Sequence, residues 1–143
     1  MSLIISPDLL TQIHRHGEAA YPDEGAGFLL GLDGETRQIT ALLTLDNIRQ
    51  GEARRTRYLI DPRDYLVAEN EAERSGQTLL GVFHSHPDHP NRPSDYDRDW
   101  AQPWFSYIIT SINAGKAVES CSWRLSEDRT CFVEEEILES SQR

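Results

Sequence analysis

The segment Gly25-Ala26-Gly27-Phe28-Leu29-Leu30-Gly31-Leu32, followed at once by Asp33-Gly34, constrains the fold of this chain more than any other part of it. Small and apolar side chains in an unbroken row read as a buried strand, and Asp-Gly is a strong hairpin turn. A second strand follows over about 36–45. Two helix starts of the same design flank this region. Ser6-Pro7-Asp8 places a cap, then a proline at the first helical position, then an acid that complements the helix dipole. Leu9, Leu10, Ile13, Gly17 and Ala20 recur behind it at helical spacing, and Tyr21-Pro22 ends the helix. Asp61-Pro62 repeats the signal, with Tyr65, Leu66, Ala68 and Ala72 sustaining a helix to Gly76.

Beyond Gly76, Thr78 to Phe83 reads as an apolar strand running into His84-Ser85-His86-Pro87. A proline-containing loop, 88–93, precedes a short helix over about 94–101. Phe105 to Ser111 is a further strand, and 117–125 with 130–135 form a closing hairpin. A short strand is expected at 58–60, after a polar loop at 47–56. No repeat or linker divides the chain, so a single domain over 1–143 is expected. The fold class is mixed α/β: a curved mixed sheet flanked by two main helices, with a short helix after the histidines.

The net charge of −10 opposes binding to nucleic acid. Arg54-Arg55-Thr56-Arg57 is the nearest approach to a basic cluster and reads as a solvated loop edge. No apolar run has membrane-spanning length, and the first residues lack the pattern of a signal peptide, so a cytoplasmic address is expected. Cys121 and Cys131 form no C-x-x-C pair. They are expected as free thiols rather than as zinc ligands or a disulfide.

His84 and His86 carry the chemistry. In a strand, residues i and i+2 face the same way, so two imidazoles stand side by side, a pairing that suits a borderline cation such as zinc. Ser85 then faces the other side and reads as structural. Ser94-Asp95-Tyr96-Asp97 follows a loop able to fold back toward the strand end. Ser94 and Asp97 also nearly match a capping box. Spacing alone leaves Asp95, Asp97 and Asp99 open as the oxygen ligand. Glu24, between a helix end and the glycine-rich strand, reads alone as a solvated loop carboxylate. His14 and His16 read as surface residues. His89 lies in the loop between the two motif halves, and the sequence leaves open whether it borders a substrate. Trp100, Trp104 and Phe105 read as packing, and Glu134-Glu135-Glu136 as a solvated strand end.

These segments resemble a known family. Glu24 to Gly31 is similar to the E-x-x-G-x-x-x-G segment of the JAMM (MPN-plus) metalloproteases, and residues 84–97 fit their H-x-H-P-x(6)-S-x-x-D signature without gap. The order of elements also resembles the MPN fold, a cytidine-deaminase-like α+β arrangement, in its minimal prokaryotic form. The resemblance implies one catalytic zinc held by His84, His86 and Asp97. It further implies Glu24 as general base and Ser94 as donor to the developing oxyanion. The implied reaction is hydrolysis of a peptide or isopeptide bond, at the C-terminal Gly-Gly of a ubiquitin-like sulfur-carrier protein. The oligomeric state is left open, a homodimer included. Two other readings compete: a non-catalytic MPN interaction scaffold, which would lack ligands, and a DNA-repair-associated relative, which the acidic charge opposes. Nucleoside deaminase chemistry is disfavoured, since the chain has no P-C-x-x-C element.

Overall fold

A computed structural model describes residues 1–45 and 60–140. The first hairpin forms where Asp33-Gly34 requires it, between β2 (Ala26–Leu32) and β3 (Thr36–Leu45). Helix α1 (Pro7–Ala20) starts on Ser6, whose hydroxyl accepts from the Leu9 amide, and stops at Tyr21. Helix α2 (Pro62–Arg74) opens with a reciprocal capping box between Asp61 and Asp64. It ends at Ser75, before Gly76 at φ 73°, the left-handed conformation that glycine adopts without a Cβ penalty. The remaining elements are β1 (Ser2–Ile5), β4 (Thr78–Pro87), α3 (Asp95–Trp100), β5 (Ser106–Asn113), β6 (Lys116–Leu125) and β7 (Phe132–Glu139). The loop at 47–56, the basic run within it and most of the strand expected at 58–60 lie outside the described residues. No helix among those described is long and apolar enough to cross a membrane.

The expected curved mixed sheet is present, but it closes on itself. The strand order is β1-β3-β2-β4-β5-β6-β7, and β1 completes a barrel by pairing in parallel with both β3 and β7. Sequence periodicity missed β1 because four residues carry too short a pattern. Its alternation, with Leu3 and Ile5 buried, matters only once both neighbours are in place. Around Phe83, the residues Leu3, Ile5, Leu29 and Ile108 pack with Ile13 of α1. The alternate residues Ala26, Phe28, Val82 and Tyr107 pack with Ala68 of α2.

Strands β4 and β5 are parallel, with His84 opposite Ile109 and His86 opposite Ser111. Parallel neighbours need a long crossover, and here it is the segment 88–105 that carries α3. The crossover leaves from the carboxyl end of β4, the end that holds both histidines. Pro87 is the last residue of that strand, and the Asp88 amide still reaches the Ile112 carbonyl.

In the acidic run at 134–136, Glu134 and Glu136 are exposed as expected, but Glu135 departs from a solvated strand end. Glu135 lies mid-strand and is buried, accepting from Ser122 and from Arg124 at 2.8 Å. Cys121 and Cys131 are free thiols. In the β6–β7 register Leu125 faces Phe132, so the two cysteines stand about five residues apart along the hairpin. That is roughly 16 Å, far beyond disulfide reach.

Candidate metal centre

His84 and His86 project from the same face of β4, with ring centroids 5.1 Å apart. Both are nearly inaccessible, at 1% and 6% exposure. Asp97 reaches them from α3: its Oδ1 lies 3.7 Å from His84 Nε2 and its Oδ2 3.2 Å from His86 Nε2. One atom from each of the three residues lies within 4.8 Å of the others. Asp95 and Asp99 are exposed, whereas Asp97 is buried at 6%. Of the three carboxylates spacing left open, the fold brings only Asp97 to the histidines. Donors bound to one tetrahedral zinc stand roughly 3.3 Å apart, given bonds of about 2.0–2.1 Å, so a set already within 4.8 Å needs only side-chain adjustment to close on such an ion.

The protonation pattern suits a cation as well. Nδ1 of His86 lies 2.7 Å from the Pro90 carbonyl oxygen, which can only accept, so that nitrogen carries the proton. In the neutral ring Nε2 is then a lone pair aimed at Asp97, and two acceptors face each other where a cation would sit. Burial drives the His84 imidazole down to about 4, outweighing the attraction of Asp97, so His84 is neutral near pH 7. Burial also works to raise Asp97. Positive charge on the two imidazoles that face it, with the Ser94 amide, outweighs burial and holds the carboxyl down at about 2; with both rings neutral, a cation between them would supply that charge.

Asp97 is set by its own helix. Ser94 caps α3: its hydroxyl accepts from the Asp97 amide at 3.1 Å, while the Ser94 amide donates to Asp97 Oδ2 at 2.8 Å. The near-match to a capping box is therefore a real box, and its carboxylate also faces the histidines. Because the Ser94 oxygen only accepts in this bond, its hydroxyl hydrogen remains to be donated, and the residue is exposed. At the other end of α3, Arg129 donates to the carbonyl oxygens of Ala101 at 2.7 Å and Arg98 at 3.0 Å. The arginine closes the helix as a C-terminal cation should. Nothing at residue 129 announces this role in sequence, since the contact spans the β6–β7 turn.

Glu24 is 3% exposed, not a solvated loop residue. Strands β2 and β4 pair with Ala26 opposite His84 and Gly27 opposite Phe83, so the register carried outward sets Glu24 beside His86. Its carboxylate is not part of the three-residue ligand group. Ser85, facing away as alternation requires, is held at Gly25: its hydroxyl accepts from the Gly25 amide at 2.8 Å, and its amide donates to the Gly25 carbonyl at 3.0 Å.

Several expectations need correction. His14 and His16 both turn inward, because α1 lies flat against the sheet. Nε2 of His14 lies 3.0 Å from the Ser120 hydroxyl, and burial lowers this imidazole. His16 packs edge-on against Phe83 at 5.5 Å and lines a small void beneath His84. Trp100 is not packing but 65% exposed, whereas Trp104 lies over the buried Arg37 guanidinium at 4.1 Å. His89 is exposed on the crossover, where its carbonyl accepts from Ser111.

A model of prokaryotic homologues of the JAB domain matches residues 6–126. A probable TtuB-protein conjugate cleaving protease of Thermus thermophilus is 31% identical over 115 residues, or 80% of this chain and 74% of that protein. A desampylase of Haloferax volcanii is 33% identical over 99 residues, or 68% and 69% of the two chains. A protein of Desulfitobacterium hafniense, solved in solution, is 31% identical with a TM-score of 0.84, covering 98% of this chain and 94% of its own. A buried His-His-Asp set under a capped helix, in a chain matched over most of its length, leads to one assignment. The chain belongs to the prokaryotic JAB-domain family and is a JAMM-type metallopeptidase.

Proposed function

We propose that the chain is a zinc-dependent isopeptidase that cleaves after the C-terminal Gly-Gly of a ubiquitin-like protein, a sulfur carrier being the favoured substrate. The observation that carries the reading is the convergence of His84, His86 and Asp97, with a second buried acid, Glu24, just before the strand that pairs with β4. Relatives named for cleaving ubiquitin-like conjugates support the substrate class.

His84, His86 and Asp97 would hold the ion, leaving a fourth position open. When bound there, zinc lowers the pKa of a water to about 7 and polarises a carbonyl. Glu24 accepts the proton of the attacking water and returns it to the departing amine. Ser94, with its hydroxyl hydrogen uncommitted, donates to the oxygen that gains charge as the scissile carbonyl becomes tetrahedral. The Pro90 carbonyl keeps His86 in the tautomer that presents Nε2. A scaffold reading has no support from a complete, buried donor set.

The test is direct. Ubiquitin-like carriers of the same cell, each bearing a short extension after Gly-Gly, are incubated with zinc-loaded protein and weighed intact. Loss of the extension from one of them, abolished by a chelator, is expected. Intact masses throughout, with zinc bound, would exclude the reading.

A further inference from the structure

The serine between the two histidines has so far no part in the reaction, yet it is buried and makes two bonds to one glycine. We infer that Ser85 is the positioning residue for Glu24, acting through the Gly25 peptide. This rests on the reading of Glu24 as general base.

Gly25 directly follows Glu24, so whatever fixes the Gly25 backbone fixes where the Glu24 side chain starts. Ser85 grips that residue at both of its polar groups: the Gly25 N–H donates to Ser85 Oγ at 2.8 Å, and the Gly25 carbonyl accepts from the Ser85 N–H at 3.0 Å. Only the second is an ordinary strand bond. The first uses a side chain where β2 has run out of ladder, because the paired register begins at Ala26 opposite His84.

Helix α1 closes the other side of the clamp. A Cβ on Gly25 would stand 2.9 Å from His16 Nδ1 and 3.0 Å from the Ala20 Cβ, so the glycine is pressed against the helix with no room to rise. Ser85 is itself wedged beneath α1: a Cβ on Gly17 would come within 3.1 Å of the Ser85 Cβ. A second tie joins the same two chain segments further out, where the Tyr21 hydroxyl donates to Asp88 at 2.6 Å.

The consequence is a division within the sequence His84-Ser85-His86. The outer two residues face the ion on one side of β4, and the middle one sets the base from the opposite side. Since both depend on the same strand, the separation between ligands and base is fixed by one stretch of backbone rather than by a flexible loop.

The experiment compares zinc-loaded wild type with S85A, G25A and E24Q, reading zinc stoichiometry, kcat, KM and amide hydrogen exchange. In S85A we expect one zinc per chain and little change in KM. A shift of the base by a fraction of an ångström should lower kcat on the order of 10–100-fold. The Gly25 amide should exchange roughly tenfold faster while the Val82 amide in β4 stays protected. G25A displaces the same peptide from the α1 side without removing the hydroxyl, and should reproduce the kcat loss with zinc retained. It also stands in should S85A fold poorly.

Wild-type kcat in both S85A and G25A, with E24Q inactive, overturns the clamp but leaves the base reading intact. Loss of zinc, or faster exchange throughout β4, overturns it too, because Ser85 would then be structural. Wild-type kcat in E24Q overturns the base reading itself.

Discussion

At the scale of single residues, the chemistry of the centre depends on keeping His84 neutral and Asp97 charged. His84 titrates at about 4 in the fold, against 6.5 in the open chain. A depressed folded value means that the unfolded chain takes up the proton first as pH falls. The stability from keeping His84 neutral is therefore complete above about pH 6.5 and drains away toward pH 4. At about 1.4 kcal/mol per unit, the loss for metal-free protein reaches about 3 kcal/mol. Denaturant melts of the metal-free protein at pH 7 and pH 4.5, with His84→Ala as reference, check this, and a wild-type fall no steeper than the variant's would refute it. Asp97→Ala removes the carboxylate that faces both histidines and half of a capping box, so on the proposed reading it should abolish stoichiometric zinc. Asp95→Ala should leave zinc bound, as metal analysis of the two proteins would show. Both residues lie in one motif, and spacing did not separate them. Their difference is rotational: the third residue of α3 faces the histidines, and the first faces solvent at 95% exposure.

At the scale of elements, α3 decides how firmly Asp97 is held against the two histidines. It is only six residues long and is stabilised by its two ends, Ser94 at one and Arg129 at the other. Ser94→Ala should remove about 1 kcal/mol of cap and, separately, lower kcat by about 10²–10³ through the lost donor. Arg129→Ala touches neither ligand nor substrate. It should nevertheless weaken zinc on the order of tenfold in a competition titration, since Asp97 would sit on a fraying helix. Unchanged zinc affinity would separate α3 order from metal binding. The start of this helix was legible because Ser94, Asp97 and the preceding proline loop are local signals. Its end was not, because Arg129 arrives from a distant turn. The same contrast holds for Ser85: alternation predicted its face correctly, but only the pairing of β2 with β4 brings it to Gly25.

At the scale of the molecule, the candidate ligands, the base and the positioning groups are carried on different segments that meet because β2 pairs with β4 and α3 follows β4 directly. The hairpin at Asp33-Gly34 and both proline-led helices could be read from sequence, and the resemblance to a known signature singled out the three residues that the fold brings together, His84, His86 and Asp97. The closure by β1 could not, since four residues gain their meaning from two parallel partners far along the chain. Leu3 is fully buried there, so Leu3→Ala should cost about 2–5 kcal/mol in a urea melt. A cost under about 1 kcal/mol would show that closure contributes little to stability. Beneath all of this lies one claim: three residues hold the ion, and Glu24, outside that set, moves the proton. The most direct test measures zinc stoichiometry and turnover together in Glu24→Gln. One zinc per chain with kcat reduced about 10²–10⁴-fold is predicted, whereas lost zinc or undiminished turnover would contradict the account.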